Sequence, residues 1–205
     1  MKKIHAITVF TITSSLICST FAFAANTATT PEVTTEAPAQ AQPQSWLKGN
    51  YVNKEKKYSI NYPAQWQKKD VPRLDIALFP PPKGAALQPH ASMNIVSEVV
   101  GPAISLDQFY SESVKNINNE LKDVHVDAKG DITLNGIPAK KIQYTHIMGG
   151  VNFTVLQYFI VGQETIYLLT FSALSDDFDS YKNDFENVAS SFRFLPKQNE
   201  APAAK

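Results

Sequence analysis

The fold of this chain is decided by two neighbouring stretches, VNFTVLQYFIV at residues 151–161 and TIYLLTFSA at residues 165–173. In a strand, successive side chains point to opposite faces of the sheet. Here Val155 and Phe159 share one face, Leu156 and Tyr158 share the other, and all four are aliphatic or aromatic. Because a sheet with one wet face would alternate apolar with polar residues, we expect both faces of these central strands to be covered.

Turn signals divide the surrounding sequence into antiparallel hairpins. Asn135-Gly136 is the strongest two-residue hairpin signal, and Gly149-Gly150 and Gly162 mark the next two turns. Nearer the N-terminus, alternating or apolar runs predict further strands. These strands are expected at residues 51–53, 58–62, 74–78 and 93–100.

Two amphipathic helices are predicted to supply the covering layers. Ser105 and Gln108 stand at the spacing of a capping box, and apolar residues then recur at three- and four-residue steps to Leu121. Ser175 is expected to cap a second helix, with Asp176 and Asp177 in its first turn, where the helix dipole favours acids. The sequence therefore predicts an α+β fold, in which an antiparallel β-sheet is covered by helices on both faces as an α/β/α sandwich.

The N-terminal segment has the pattern of an export signal. A short basic start is followed by an uncharged stretch over residues 6–23 that ends in Ala22-Phe23-Ala24. This pattern predicts a signal peptide at residues 1–24, cleaved between Ala24 and Ala25. Two alternatives remain open, a retained transmembrane anchor and a lipid anchor on Cys18.

Composition divides the rest of the chain into three parts. Residues 25–45 consist mostly of Ala, Thr, Pro and Gln, which predicts a disordered linker. Residues 46–196 carry 19 of the 22 aromatic residues and are predicted to form a single domain. Residues 197–205 are polar and rich in alanine, so a disordered tail is expected there.

The charge balance excludes one class of function. Nineteen Lys and Arg face nineteen Asp and Glu, which gives a formal net charge of zero. Binding nucleic acid through bulk charge requires a basic excess that releases phosphate counterions, so no nucleic-acid partner is expected. In residues 46–196, fifteen positive residues face sixteen negative ones, which favours recognition by shape and apolar contact over recognition through a long-range field.

The sequence lacks the motifs that carry catalysis. It contains no G-x-S-x-G elbow and no G-x-G-x-x-G or G-x-x-x-x-G-K-[ST] phosphate cradle. Its one cysteine lies in the predicted signal peptide. No catalytic residue, cofactor or metal site is therefore predicted.

Three histidines of the predicted domain were candidates for a metal or catalytic role, His90, His125 and His146. His125 and Asp127 would share one strand face, where a polar surface pair is favoured over two metal ligands. His146 stands in line with Tyr144, which favours a histidine at the edge of the core with one satisfied ring nitrogen.

One proline-rich loop holds the candidate recognition residues. Proline-rich sequence adopts loop or polyproline conformations, and loops on a rigid scaffold often carry recognition. The alternative is an ordinary connector stiffened by proline. The candidate residues are Pro80, Pro81, Pro82, Lys83, Gly84 and His90.

Several packing patterns resemble the PsbP-like superfamily. They are YSINYP at residues 58–63 with Trp66, Gly136 with Pro138-Ala139, YLLTF at residues 167–171, and SSFRF at residues 190–194. The resemblance covers roughly residues 50–195 and implies an antiparallel sheet between helical layers. The superfamily includes the oxygen-evolving-complex subunit of photosynthetic membranes, Ran-binding Mog proteins, and bacterial envelope proteins of the DcrB and LpqN kinds, most of them binding or assembly factors.

These patterns lead to two functional hypotheses. The first is an exported, non-enzymatic binding or assembly module of the bacterial cell envelope, periplasmic or secreted, without a transmembrane span in its mature form. Its expected partner is another envelope or secreted protein. The second is a small-ligand carrier or hydrolase with a pocket between sheet and helix, which a deep pocket at His125 or His146 beside a carboxylate and a hydroxyl would support.

Overall fold

The described part of the chain folds as two antiparallel sheets with two helices. The computed structural model describes residues 47–82, 90–101, 104–162 and 164–196. In that part of the chain the elements are, in order, β1 (Gly49–Asn53), β2 (Tyr58–Tyr62), β3 (Gln67–Lys69), β4 (Ile76–Phe79), β5 (Ala91–Val99), α1 (Leu106–Glu120), β6 (Lys122–Leu134), β7 (Ile137–Met148), β8 (Val151–Gly162), β9 (Thr165–Leu174), α2 (Ser175–Ser190) and β10 (Arg193–Phe194).

The strands form a seven-stranded sheet and a three-stranded sheet. The large sheet has the order β3-β4-β5-β9-β8-β7-β6, and the small sheet has the order β1-β2-β10. Antiparallel pairing along β6-β7-β8-β9 follows the predicted hairpins, and β5 adds to β9 through an antiparallel pairing that no predicted turn marks. Antiparallel structure is therefore confirmed, while the single expected sheet is replaced by two, because β2 pairs with β1 and β10 and with no strand of the large sheet.

The two-residue turns that set the strand register were correctly predicted. Asn135 and Gly136 have φ angles of 49° and 82°, both positive, as a type I′ hairpin turn requires. Gly149 and Gly150 have φ angles of 60° and 82° and join β7 to β8 in the same way. These turns fix which side chains of β6, β7 and β8 share a face.

Alternate side chains of β8 enter two separate hydrophobic clusters. Leu156, Tyr158 and Ile160 belong to the first, together with residues of β2, β5, β9 and α2 that include Phe185. The second cluster, on the other side of the strand, contains Val155 and Phe159 with the α1 residues Phe109 and Ile117. Leu156 and Phe159 are both fully buried, so β8 is covered on each side.

The two helices begin differently. The Ser105 hydroxyl accepts a hydrogen bond from the Gln108 amide at 3.1 Å, as the predicted cap of α1 requires. The predicted cap of α2 is wrong, because Leu174 occupies the N-cap position and makes no side-chain cap there. Ser175 is the first helical residue, and its hydroxyl accepts a hydrogen bond from the Thr154 hydroxyl at 3.0 Å.

A single carboxylate joins the small sheet to the large one. The Tyr58 hydroxyl in β2 donates to Asp75 Oδ2 at 2.9 Å, and the Ser97 hydroxyl in β5 donates to the same oxygen. The Tyr51 hydroxyl in β1 donates to the Asp75 carbonyl at 2.7 Å. Burial raises the pKa of the Asp75 carboxyl above its usual range, and the hydroxyls of Ser97 and Tyr58 oppose that shift by donating to the ionised form.

Two replacements of Asp75 should distinguish the destabilising effect of its buried charge from the stabilising effect of its hydrogen bonds. Because its pKa is raised in the folded state, ionised Asp75 destabilises the fold above that pKa and ceases to do so below the unfolded value of about 4. Asp75→Asn keeps an oxygen acceptor without the charge, so we expect a higher melting temperature than wild type at pH 7.5 and no difference near pH 3.5. Asp75→Ala leaves two hydroxyls without their acceptor and should lower the unfolding free energy by about 1–3 kcal/mol. A melting temperature of Asp75→Asn below that of wild type at pH 7.5 would contradict this assignment.

Burial on both sides of β8 predicts that truncating either face is costly. Leu156→Ala should lower the unfolding free energy by about 2–5 kcal/mol and Phe159→Ala by about 3–5 kcal/mol, measured by urea denaturation. Val52→Ala is the control, because Val52 is 43% exposed and its loss should change stability by less than about 0.5 kcal/mol. If only one of the two core variants were destabilised, the sheet would be covered on one face only.

Candidate recognition site

Both described ends of the proline-rich loop meet the beginning of α2. The Tyr181 hydroxyl donates to the Pro81 carbonyl at 3.4 Å. At the other end, His90 Nδ1 lies 2.7 Å from Asp177 Oδ2, and the Leu174 amide donates to the His90 carbonyl at 3.1 Å. We call these five residues the loop anchor. It holds two points of the chain that are nine residues apart against one helix.

The predicted recognition residues differ in exposure. Pro80 is buried and directly follows β4, whereas Pro81 and Pro82 are exposed. The His90 side chain is 37% exposed. Lys83 and Gly84 lie outside the described residues, as do the predicted cleavage residues Ala24 and Ala25. The described residues therefore present an exposed proline pair, Pro81 and Pro82, near the imidazole of His90, which Asp177 holds in place.

Asp177 is a member of the loop anchor that the sequence did not reveal. Its position in the first turn of α2 suits the positive end of the helix dipole, which is the role expected of it. Its second role, as the partner of His90, links residues 87 apart in the sequence. No local sequence pattern predicts the contact between His90 and Asp177, because it forms only when the chain has folded.

His125 is a surface residue of the edge strand β6. Its side chain is 80% exposed, and its Nε2 lies 3.8 Å from Asp127 Oδ1. In the register of β6 with β7, His125 stands opposite Thr145, whose neighbour His146 points to the other face. The structure therefore does not bring the two histidines together.

His146 is buried without a hydrogen-bond partner. It is 2% exposed, and its ring lies between those of Tyr144 and Phe153, each with its centroid 6.0 Å away. Within the described part of the chain, neither ring nitrogen has a partner. The expected satisfied nitrogen is therefore wrong. Burial lowers the pKa of the imidazole below its usual value, and the backbone of Ile147 opposes that shift.

The surroundings of His146 differ from those that the carrier or hydrolase hypothesis requires. His146 has aromatic rings beside it where the carrier or hydrolase hypothesis requires a carboxylate and a hydroxyl. Among residues 47–82, 90–101, 104–162 and 164–196, no group of three His, Cys, Asp or Glu could hold a metal ion. In the same ranges, no helix is long and apolar enough to cross a membrane.

Solved structures share this fold at low sequence identity. Cyanobacterial PsbP (CyanoP) from Synechocystis sp. PCC 6803 is similar with a TM-score of 0.56 and 16% identity, over 71% of this chain and 91% of that one. LpqN of Mycobacterium tuberculosis, described as involved in cell envelope biogenesis, has a TM-score of 0.56 and 14% identity over 68% and 83%. A protein of unknown function from Pseudomonas aeruginosa, PA94, has a TM-score of 0.53 and 16% identity over 69% and 92%.

The family of this protein follows from its sequence. It matches the family described as PsbP-like protein over residues 6–194. No curated protein matches the sequence significantly. The chain belongs to the PsbP-like family, and the resemblance carried by its packing patterns is confirmed.

The buried imidazole predicts a loss of stability in mild acid. Because the pKa of His146 is lowered in the folded state, its contribution is fully present above the unfolded value of about 6.5 and is lost as the pH falls toward the folded value. We expect wild type to lose unfolding free energy in urea between pH 7.5 and pH 5.5. His146→Leu should lose less over the same interval.

An exposed histidine supplies the control for that measurement. His125→Gln removes a ring that is largely in solvent, so it should keep the full pH dependence of wild type. Equal pH dependence of wild type and His146→Leu would contradict this prediction. It would show that His146 has the same pKa in the folded and unfolded states despite its burial.

Proposed function

We propose that this protein is an exported, non-enzymatic binding module of the bacterial cell envelope whose protein partner contacts the loop between β4 and β5. The observation that carries the proposal is the loop anchor, in which Tyr181 and Asp177 hold the two ends of the loop. A loop fixed at both ends loses less conformational entropy when a partner binds it. Fixed loops on rigid scaffolds are common recognition elements.

The scaffold behind the loop supports this role. We infer that α1 and α2 cover opposite faces of the large sheet as an α/β/α sandwich, since their buried residues enter different clusters. The α2 side carries the loop anchor through Tyr181, which is 1% exposed. Because Tyr181 also stacks on Phe185, with ring centroids 5.9 Å apart, the anchor rests on the core.

The proposed location follows from the export signal. Its support is the uncharged stretch at residues 6–23 and the cleavage pattern before Ala25, together with a similar fold in LpqN, a protein involved in cell envelope biogenesis. Mass spectrometry of the N-terminus of the exported protein distinguishes the alternatives. A start at Ala25 supports a periplasmic or secreted protein, and an acylated Cys18 supports a lipid-anchored one.

Site-directed photo-crosslinking tests whether the loop meets a partner. A photoreactive residue in place of Pro82, which is exposed beside the anchor, should give one reproducible protein adduct in cells at native expression levels. The matched control carries the same residue at Ala128, an exposed position on the edge strand β6. Absence of an adduct from Pro82, or the same adduct from both positions, would overturn the proposed contact.

The anchor should contribute to that contact through the His90–Asp177 pair. Partly exposed ion pairs contribute about 0.2–1 kcal/mol. His90→Ala and Asp177→Asn should therefore each lower the yield of the Pro82 adduct by up to about fivefold, with melting temperatures close to wild type. Unchanged yields from both variants would show that the partner does not depend on how the loop is held.

A further inference from the structure

The near-neutral charge of the domain conceals a strong separation of charge along the chain. Residues 48–73 contain seven Lys and Arg but only Glu55 and Asp70 as acids, a net charge of +5. Residues 74–196 contain eight Lys and Arg and fourteen Asp and Glu, a net charge of −6. These sums add to the −1 of the whole domain, so its neutrality is the balance of two opposite halves.

The fold collects the positive half at one edge of the molecule. Residues 48–73 form β1 and β2 of the small sheet and β3, the edge strand of the large sheet. These strands lie together, because the Lys68 amine is 5.6 Å from the centre of the Tyr51 ring in β1. Arg193 joins them through β10, where it pairs with Ser59 of β2. We call this surface the basic edge; it consists of Lys48, Lys54, Lys56, Lys57, Lys68, Lys69, Arg73 and Arg193.

The basic charges are accessible to solvent. Seven of the eight side chains of the basic edge belong to exposed residues, and Lys56 is half-buried. Acids accompany some of these charges: Glu55 lies 3.3 Å from the Lys56 amine and Asp70 lies 4.0 Å from the Lys68 amine. The basic edge therefore keeps a clear excess of positive charge.

The two helices carry the opposite charge. Lys115 is the basic residue of α1 and Lys182 that of α2. Against them stand eight acids, Asp107, Glu112, Glu120, Asp176, Asp177, Asp179, Asp184 and Glu186. An anionic surface would therefore attract the basic edge and repel the helices, which gives the domain one preferred orientation on it.

We propose that the basic edge docks the domain on an anionic phospholipid surface. Its charges are spread over β3, β10, the hairpin tip at residues 54–57 and the segments before β1 and β4, so mobile headgroups can meet them without a fixed complementary pattern. On the exposed face of the small sheet, Val52 stands across Ser59 from Arg193, and Val52 is 43% exposed. An apolar side chain among basic ones suits the boundary between headgroups and acyl chains.

The entry point of the chain agrees with this orientation. The first described residues, Leu47 and Lys48, lie directly before β1 at the basic edge. In either of the anchored alternatives, residues 25–45 would connect the anchor to the domain at this edge and not at the acidic helices. Docking through the basic edge does not require an anchor, and it is independent of the partner contact at the loop.

Vesicle flotation at low salt tests the docking. The full chain is compared on vesicles of phosphatidylethanolamine with one quarter phosphatidylglycerol and on vesicles of neutral lipid alone. Residues 1–24, with Lys2 and Lys3, are the same in every variant, so a difference between variants reports the basic edge. Each basic residue near an anionic surface strengthens binding about fivefold. Lys48→Gln/Lys54→Gln/Lys57→Gln should therefore weaken binding to anionic vesicles on the order of 100-fold, and 0.5 M salt should abolish the difference.

A matched variant separates the surface from the net charge. Lys115→Gln/Lys122→Gln/Lys129→Gln makes the same change in charge at exposed lysines away from the basic edge, and should bind anionic vesicles as wild type does. Equal losses in both variants, or no preference of wild type for anionic vesicles, would overturn the proposal. Binding to polyglutamate without binding to anionic vesicles would overturn it in favour of an acidic protein. None of these results alters the crosslinking test at Pro82.

Discussion

The structure depends on covering both faces of β8 and β9. These two strands are apolar on each side, and burial of that surface is the dominant favourable contribution to folding. Leu156 of β8 belongs to one cluster with residues of α2 and with Tyr58 and Ile60 of the small sheet, which are fully buried. Phe159 of β8 belongs to a second cluster with Phe109 of α1. The residues that pack against β8 and β9 therefore come from separate segments of the chain: β2, α1 and α2.

Asp75 and His146 are two polar side chains in the interior that differ in their hydrogen bonding. Asp75 is half-buried and accepts two hydroxyl hydrogen bonds, so it joins two sheets at a moderate cost in desolvation. His146 is more deeply buried and has no partner for either ring nitrogen among the described residues. A buried polar group without a hydrogen bond is destabilising, and the neutral imidazole is the form with the lower cost. The first group therefore links elements, while the second makes the α1 side of the sheet sensitive to acid.

The features predicted correctly are those that depend on local sequence. Asn135-Gly136 and Gly149-Gly150 determine backbone dihedral angles within two residues, and Ser105 caps α1 through the Gln108 amide. The features missed depend on distant partners. β3 and β10 have three and two residues, too short for any periodicity to reveal. The pairing of Asp177 with His90 and the joining of Tyr58 to Asp75 arise only when the strands assemble.

The net charge of the domain does not predict how charge is distributed over its surface. A balance of fifteen positive and sixteen negative residues suggested recognition by shape and apolar contact. The electrostatic field at a surface, however, depends on where the charges lie. Strand order places residues 48–73 on one edge and the acids of α1 and α2 elsewhere. The proline-rich loop leaves β4 after Phe79, whereas the hairpin tip at residues 54–57 lies at the end of β4 where Asp75 stands. Since Ala91 and Ser97 of β5 are separated by roughly 20 Å at the rise of a strand, the loop and the hairpin tip can be engaged at the same time, one by a partner and the other by a surface.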